Sequence, residues 1–182
     1  MRTCVCALVP PVHNHVEVLV LQHPEEVHEA KNSARLLRLA LVRCRVVVGE
    51  AFAPEVLRGL LGGDVSGAAL LYPADTETGT AFGPPVARPE RLVLLDGTWR
   101  KSLKMLRANP LLQSLPRWPL APQPPARYGA LRKARLTNQL STLEAACAAL
   151  ADIESTPARY APLLAAFDRF VADRASRARR PQ

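Results

Sequence analysis

The chain predicts the α/β class, a mostly parallel sheet flanked by helices. Three observations carry that reading. Short apolar runs of strand length alternate with stretches of helical pattern, the order expected of βαβ units. The sequence of apolar run, polar loop and helix start recurs after Leu21, Leu71 and Leu95. With 182 residues and 48% hydrophobic side chains the chain can build a core, burying about 70% of its unfolded surface at this size.

Taken in order, Val16–Leu21 is rich in β-branched residues and predicts a buried strand. His23-Pro24-Glu25-Glu26 opens a helical stretch to about Leu41; Pro24 suits a first helical turn, where its missing N–H is no loss. Cys44–Val48 is a second strand, closed by Gly49, and Pro54–Leu61 a short helix ended by Gly62-Gly63. Ala68–Leu71 is a third strand, and residues 74–89 form a loop rich in Thr, Gly, Pro and Ala. Leu92–Leu95 is a fourth strand and Trp99–Arg107 its helix. Six prolines within Asn109–Arg127 predict an extended crossover with little regular structure. Ala130-Leu131 reads as a brief fifth strand, and Ser141–Ile153 and Arg159–Arg174 as helices. Internal repeats are absent.

One domain spans residues 1–182 on this reading, with 175–182 a flexible basic tail. Net charge is +8, from 24 Lys and Arg against 16 Asp and Glu, which favours a polyanionic partner. Part of that excess lies in the tail residues Arg174, Arg177, Arg179 and Arg180. No apolar run approaches the roughly 18 residues of a membrane span, and the N-terminus lacks the apolar segment of a secretory signal. A soluble cytoplasmic protein without a membrane partner is therefore expected. The four cysteines, Cys4, Cys6, Cys44 and Cys147, do not space as a disulfide framework.

If the strands run parallel, the loops after Leu21, Leu71 and Leu95 share one rim, where open α/β sheets bind ligands. The segment Arg91–Met105 is the most informative: an apolar run stops at Asp96, and Gly97, Thr98 and Trp99 follow before a helix. Simpler roles exist for each residue. Asp96 or Thr98 could cap the helix, Trp99 could anchor the core, and Ser141 with Glu144 fits a capping box. Glu25 and Glu26 could serve the helix dipole, a matter of about 0.3–1 kcal/mol. A cap needs one polar residue, however, and not all of Asp-Gly-Thr-Trp. Gly97 points to a close backbone approach or an unusual conformation. Walker, GxGxxG, HExxH and GxSxG motifs are all missing, which disfavours the common phosphate-loop, dinucleotide, zinc-protease and hydrolase readings.

These residues resemble the DTW-domain family. Leu94-Leu95-Asp96-Gly97-Thr98-Trp99 is similar to its Asp-x-Thr-Trp signature. Gln22-His23-Pro24-Glu25-Glu26, followed by Asn32-Ser33-Ala34, is similar to its H-P-x-E box. Leu71-Tyr72-Pro73 matches the end of the middle strand, Tyr128 and Arg132 a Y-x-x-x-R element, and Leu140–Ala145 an S-T-x-E box. The boxes fall in the family's order along most of the chain.

The resemblance implies a SPOUT-like sheet with a C-terminal knot that holds S-adenosyl-L-methionine. It implies transfer of the 3-amino-3-carboxypropyl group of that donor to N3 of a uridine in tRNA. Asp96 would be the first choice for base, with Glu26 and Glu144 behind it. Leu71, Tyr72, Pro73, Gly97, Thr98, Trp99, Arg132, Ser141 and Thr142 would surround the donor. His23, Asn32, Arg35, Lys101 and Lys104 would meet the RNA, with Arg38 and Arg100 adding positive charge. Asp96→Ala would then abolish transfer while leaving stability within about 1 kcal/mol, the usual capping loss. The family's fuller N-terminal cysteine cluster is represented only by Cys4 and Cys6. Residues 1–15 thus read as a remnant of that segment, and zinc as doubtful; His13 and His15 complete four ligands only on paper, and a loop with incidental histidines is preferred.

Three other readings compete. A SPOUT-type RNA methyltransferase would present the methyl group of the same donor. A non-catalytic RNA-binding protein would need only the positive charge. A small metal-binding module would rest on the cysteines and histidines named above.

Overall fold

The computed structural model describes residues 9, 11–29, 32–73, 88–120 and 140–178. Among the described residues five strands form one sheet: β1 Glu17–Gln22, β2 Cys44–Val48, β3 Ala68–Leu71, β4 Arg91–Asp96 and β5 Arg117–Trp118. Their order is β2-β1-β4-β3-β5, and every pair is parallel. The helices are α1 Ser33–Ala40, α2 Pro54–Leu60, α3 Trp99–Ala108, α4 Pro110–Gln113, α5 Thr142–Ile153 and α6 Pro157–Ala178.

Strand periodicity sorts the apolar residues onto two faces. Val18, Val20, Leu92 and Leu94 pack with Leu36 and Leu37 of α1, Leu143 and Leu150 of α5, and Leu163 and Phe167 of α6. Leu19, Leu21, Leu70 and Val93 pack with Leu57 of α2, Met105 and Leu106 of α3, and Leu112 of α4. Helices therefore cover both faces, as a parallel sheet buried on each side requires. Each fully buried Leu contributes about 1.5–3 kcal/mol, so the central strands β1 and β4 anchor the core.

Several sequence-based expectations change. The helix predicted from Pro24 to about Leu41 is broken into a 3₁₀ turn, Pro24–Glu26, and α1. Asn32 starts the second piece by accepting a hydrogen bond from the Arg35 N–H at 3.1 Å, a cap worth about 1 kcal/mol. The proline-rich crossover is not without structure. Pro110 occupies the first turn of α4, Leu112 is fully buried, and Arg117-Trp118 pairs with β3. Residues 175–178, read as tail, continue α6. The strand expected at Ala130-Leu131 lies outside the described residues, as do Cys4 and Cys6. Among the described residues no helix is long and apolar enough to cross a membrane.

Candidate active site at the ends of β1 and β4

β1 and β4 are neighbours, and Gln22 stands in register with Asp96 at their carboxyl ends. The chain leaves β1 toward α1 on one face and β4 toward α3 on the other. Divergence of this kind opens a crevice between the two strand ends, the usual ligand position in a parallel sheet.

Asp96 lies at that point of divergence and is only 7% exposed. Gln22 Nε2 donates to its Oδ2 at 2.7 Å. Thr142 Oγ1, in the first turn of α5, donates to its Oδ1 at 2.5 Å. The His23 N–H donates to the Asp96 carbonyl at 2.9 Å. Gln22 Nε2 also reaches Asn32 Oδ1 at 3.1 Å, which couples the Asp96 carboxylate to the start of α1. The H-P-x-E, DTW and S-T-x-E boxes therefore meet at one point.

His23 is buried, and its ring sits between two partners. Nδ1 accepts from the Glu25 N–H at 3.3 Å, so Nε2 is the donor toward Glu50 Oε2 at 2.8 Å. Glu50 Oε1 in turn pairs with Lys104 at 2.9 Å. The Lys104 and His23 contacts hold the Glu50 carboxyl below its ordinary range. Lys101 spans Glu26 at 2.7 Å and Glu25 at 3.0 Å. Those hydrogen bonds, Glu26 first, raise the ammonium, and the same contact lowers the Glu25 carboxyl. Lys101 and Lys104, expected to meet RNA, are thus engaged within the protein, and Glu26, a second choice for base, is an ion-pair partner. Arg35, Arg38 and Arg100 are exposed.

Glu144, the other second choice, closes a capping box: its Oε2 accepts from the Ser141 N–H at 2.8 Å, and Ser141 Oγ accepts from the Glu144 N–H at 3.2 Å. Thr98, not Asp96, caps α3, accepting from the Lys101 N–H at 3.4 Å. A Cβ on Gly97 would stand 3.1 Å from Lys101 Cβ, so close approach, not a positive φ, accounts for glycine there.

Trp99 is not a core anchor; it is 56% exposed. Its ring stacks on Tyr72 with centroids 5.2 Å apart and planes 16° from parallel. The Arg117 guanidinium lies 5.4 Å from the Tyr72 centroid. Leu71 is half-buried, Tyr72 buried and Pro73 exposed at the end of β3. Tyr128 and Arg132 lie outside the described residues. His13 and His15 are exposed, and among the described residues no group of three or more His, Cys, Asp or Glu side chains is placed to hold a metal.

Sequence reading missed Gln22 and Glu50. Gln22 carried a signal, a polar residue ending an apolar strand just as Asp96 ends its neighbour. Glu50 follows Gly49 in a short loop and carried none; its importance comes from partners on other elements.

A parallel α/β protein with a carboxylate that accepts from the Gln22 amide and the Thr142 hydroxyl at the sheet's topological switch point is the class that fold and site define. Within it, the chain belongs to the DTW-domain family, whose domain matches residues 1–175. It is 31% identical over 162 residues to tRNA-uridine aminocarboxypropyltransferase 2 of Drosophila melanogaster, covering 85% of this chain and 63% of that protein. It is 29% identical over 162 residues to tRNA-uridine aminocarboxypropyltransferase 2 of Mus musculus, covering 84% of this chain and 53% of that protein. The chain therefore spans between about half and two thirds of those relatives. No solved structure matches it significantly.

Proposed function

We propose that the protein transfers the 3-amino-3-carboxypropyl group of S-adenosyl-L-methionine to N3 of a uridine in tRNA. The observation that supports this reading most is the convergence of three family boxes on the Asp96 carboxylate. Names of the two relatives supply the reaction class.

The donor has an apolar adenosine end and a charged amino-acid end. β3 and β4 are adjacent, so Leu71 and Pro73 offer apolar surface beside the polar cluster of Asp96 and Thr142. Both characters of the donor are matched on neighbouring strand ends, and residues Leu71 to Pro73, Gly97, Thr98, Ser141 and Thr142 would hold it. When bound, the donor supplies an electrophilic γ-carbon attached to a sulfonium leaving group. Asp96 accepts the N3 proton of uridine as N3 bonds to that carbon; the carbon–sulfur bond breaks, its electron pair goes to sulfur, and neutral methylthioadenosine departs. Gln22 and Thr142 hold the carboxylate in one orientation. Orientation of the reactants can supply effective molarities of about 10⁵–10⁸ M, and base assistance a further 10²–10⁴-fold or so.

Exposed Arg35, Arg38 and Arg100 meet tRNA phosphates on this reading. A SPOUT-like sheet with a C-terminal knot belongs to the same reading, supported by the family match. A cytoplasmic location follows from the substrate.

The test is to incubate the chain with S-adenosylmethionine and unmodified tRNA, digest to nucleosides and read their masses. Aminocarboxypropyl-uridine is the expected product. A methylated nucleoside instead would assign the protein to methyl transfer, and binding without product would leave an RNA-binding protein.

A further inference from the structure

We propose that Trp99 is the platform on which the acceptor base of the RNA stacks, a role that rests on the transfer reading above. Trp99 opens α3, three residues beyond Asp96, so a base lying on it comes close to the proposed proton acceptor. Tyr72 covers one indole face. With over half of the residue still exposed, solvent meets mainly the other face. The backing is rigid. Tyr72 is 5% exposed and Arg117 4%. The Arg117 guanidinium lies over the Tyr72 ring and donates to the Leu112 carbonyl at 3.1 Å, and β3 and β5 are paired at Leu70 and Arg117. An exposed aromatic fixed from behind loses little freedom when a planar ligand arrives.

Two planar groups exist in the reaction, the adenine of the donor and the base of the acceptor. Small-molecule sites usually bury 70–90% or so of their ligand, and Trp99 sits on the open rim. Unpaired RNA bases are commonly splayed out and stacked on aromatic side chains. Arg100, exposed on the next residue, supplies charge for the neighbouring phosphate. The acceptor base is therefore the better occupant.

The experiment compares the native chain with Trp99→Leu and Trp99→Phe at one fixed salt concentration, with melting curves as a folding control. Unmodified tRNA is expected to quench tryptophan emission in the native chain by an amount that Trp99→Leu lacks. Trp99→Leu should weaken tRNA binding and raise the tRNA KM about 5- to 100-fold, the usual consequence of losing one base–aromatic stack. Trp99→Phe should stay near the native value, and the KM for S-adenosylmethionine should not move. Quenching by methylthioadenosine alone, with a raised KM for S-adenosylmethionine in Trp99→Leu, would give the platform to the donor and overturn the proposal. Native tRNA affinity and KM in a folded Trp99→Leu would also overturn it, while leaving the transfer reading intact. Quenching and weakened binding as expected, with no aminocarboxypropyl-uridine from the native chain, would uphold the stacking platform and refute the transfer reading.

Discussion

Gln22 and Asp96 face each other across adjacent parallel strands, and the Gln22 amide closes the gap with a 2.7 Å hydrogen bond. This pairing makes the last residue of each central strand part of one polar unit. Thr142, from the first turn of α5, adds a second hydrogen bond at 2.5 Å.

Removing the carboxylate should therefore do two things. Asp96→Ala is expected to abolish transfer and to cost about 1–3 kcal/mol of stability, because the buried Gln22 amide and the half-buried Thr142 hydroxyl lose their acceptor. That exceeds the loss of about 1 kcal/mol expected from helix capping, a task that Thr98 performs. Asp96→Asn keeps the shape and should lose activity at a smaller stability cost. Urea titration alongside the nucleoside assay checks both; an active Asp96→Asn would exclude Asp96 as proton acceptor.

Each donor to Asp96 should act on rate more than on binding. Gln22→Leu and Thr142→Val are each expected to lower kcat about 10-fold by loosening the carboxylate, with little change in KM. Thr142→Ser retains the hydroxyl and should restore most of the rate. Steady-state kinetics on the three variants decide this, and a change confined to KM would instead give these side chains a binding role.

The basic surface should divide into two kinds of residue. Substituting exposed Arg35 or Arg100 by Ala is expected to reduce the slope of log affinity against log salt by about one each. Lys101→Ala should instead leave Glu25 and Glu26 facing the site without their ammonium partner, weakening tRNA binding through repulsion. Filter binding across a salt series separates the cases, and equal slopes for all variants would refute the division.

Acid stability should depend on Glu154. Burial pulls its carboxyl up, but the N–H of Val16, the Tyr160 hydroxyl, the N–H of His15 and the Arg159 guanidinium together bring it below its ordinary 4.5. A carboxyl depressed in the folded state contributes stability above its unfolded value, and that contribution fades as pH falls through the folded value. Glu154→Gln should therefore melt below the native protein at neutral pH, and the two should converge as pH drops below about 4.5. Parallel melting curves at neutral and acidic pH check this; a gap independent of pH would mean that the Glu154 charge has no part in it.

Burial patterns in the folded chain explain which expectations survived. β2 and β3 occupy the residues predicted for them, β1 is shifted by one residue so that it ends at Gln22, and β4 gains a polar residue at each end, Arg91 and Asp96. The Ser141–Glu144 box was recognisable because its spacing alone brings side chain to backbone within one turn. Long-range pairs had no such signature. Gln22 is 74 residues from Asp96, Thr142 is 46 residues from it, and Glu50 reaches His23 across 27.

The places of β1 to β4 and of α2, α3, α5 and α6, the Ser141–Glu144 cap and the identity of the rim loops follow from periodicity and local hydrogen bonding, which act within one or two turns and can be read along the chain. Which side chains hold Asp96, which acids engage Lys101 and Lys104, and that Trp99 faces outward on a Tyr72 backing were settled only when the strands aligned. Those contacts depend on sheet order and register, and both emerge from packing among segments that no local window contains.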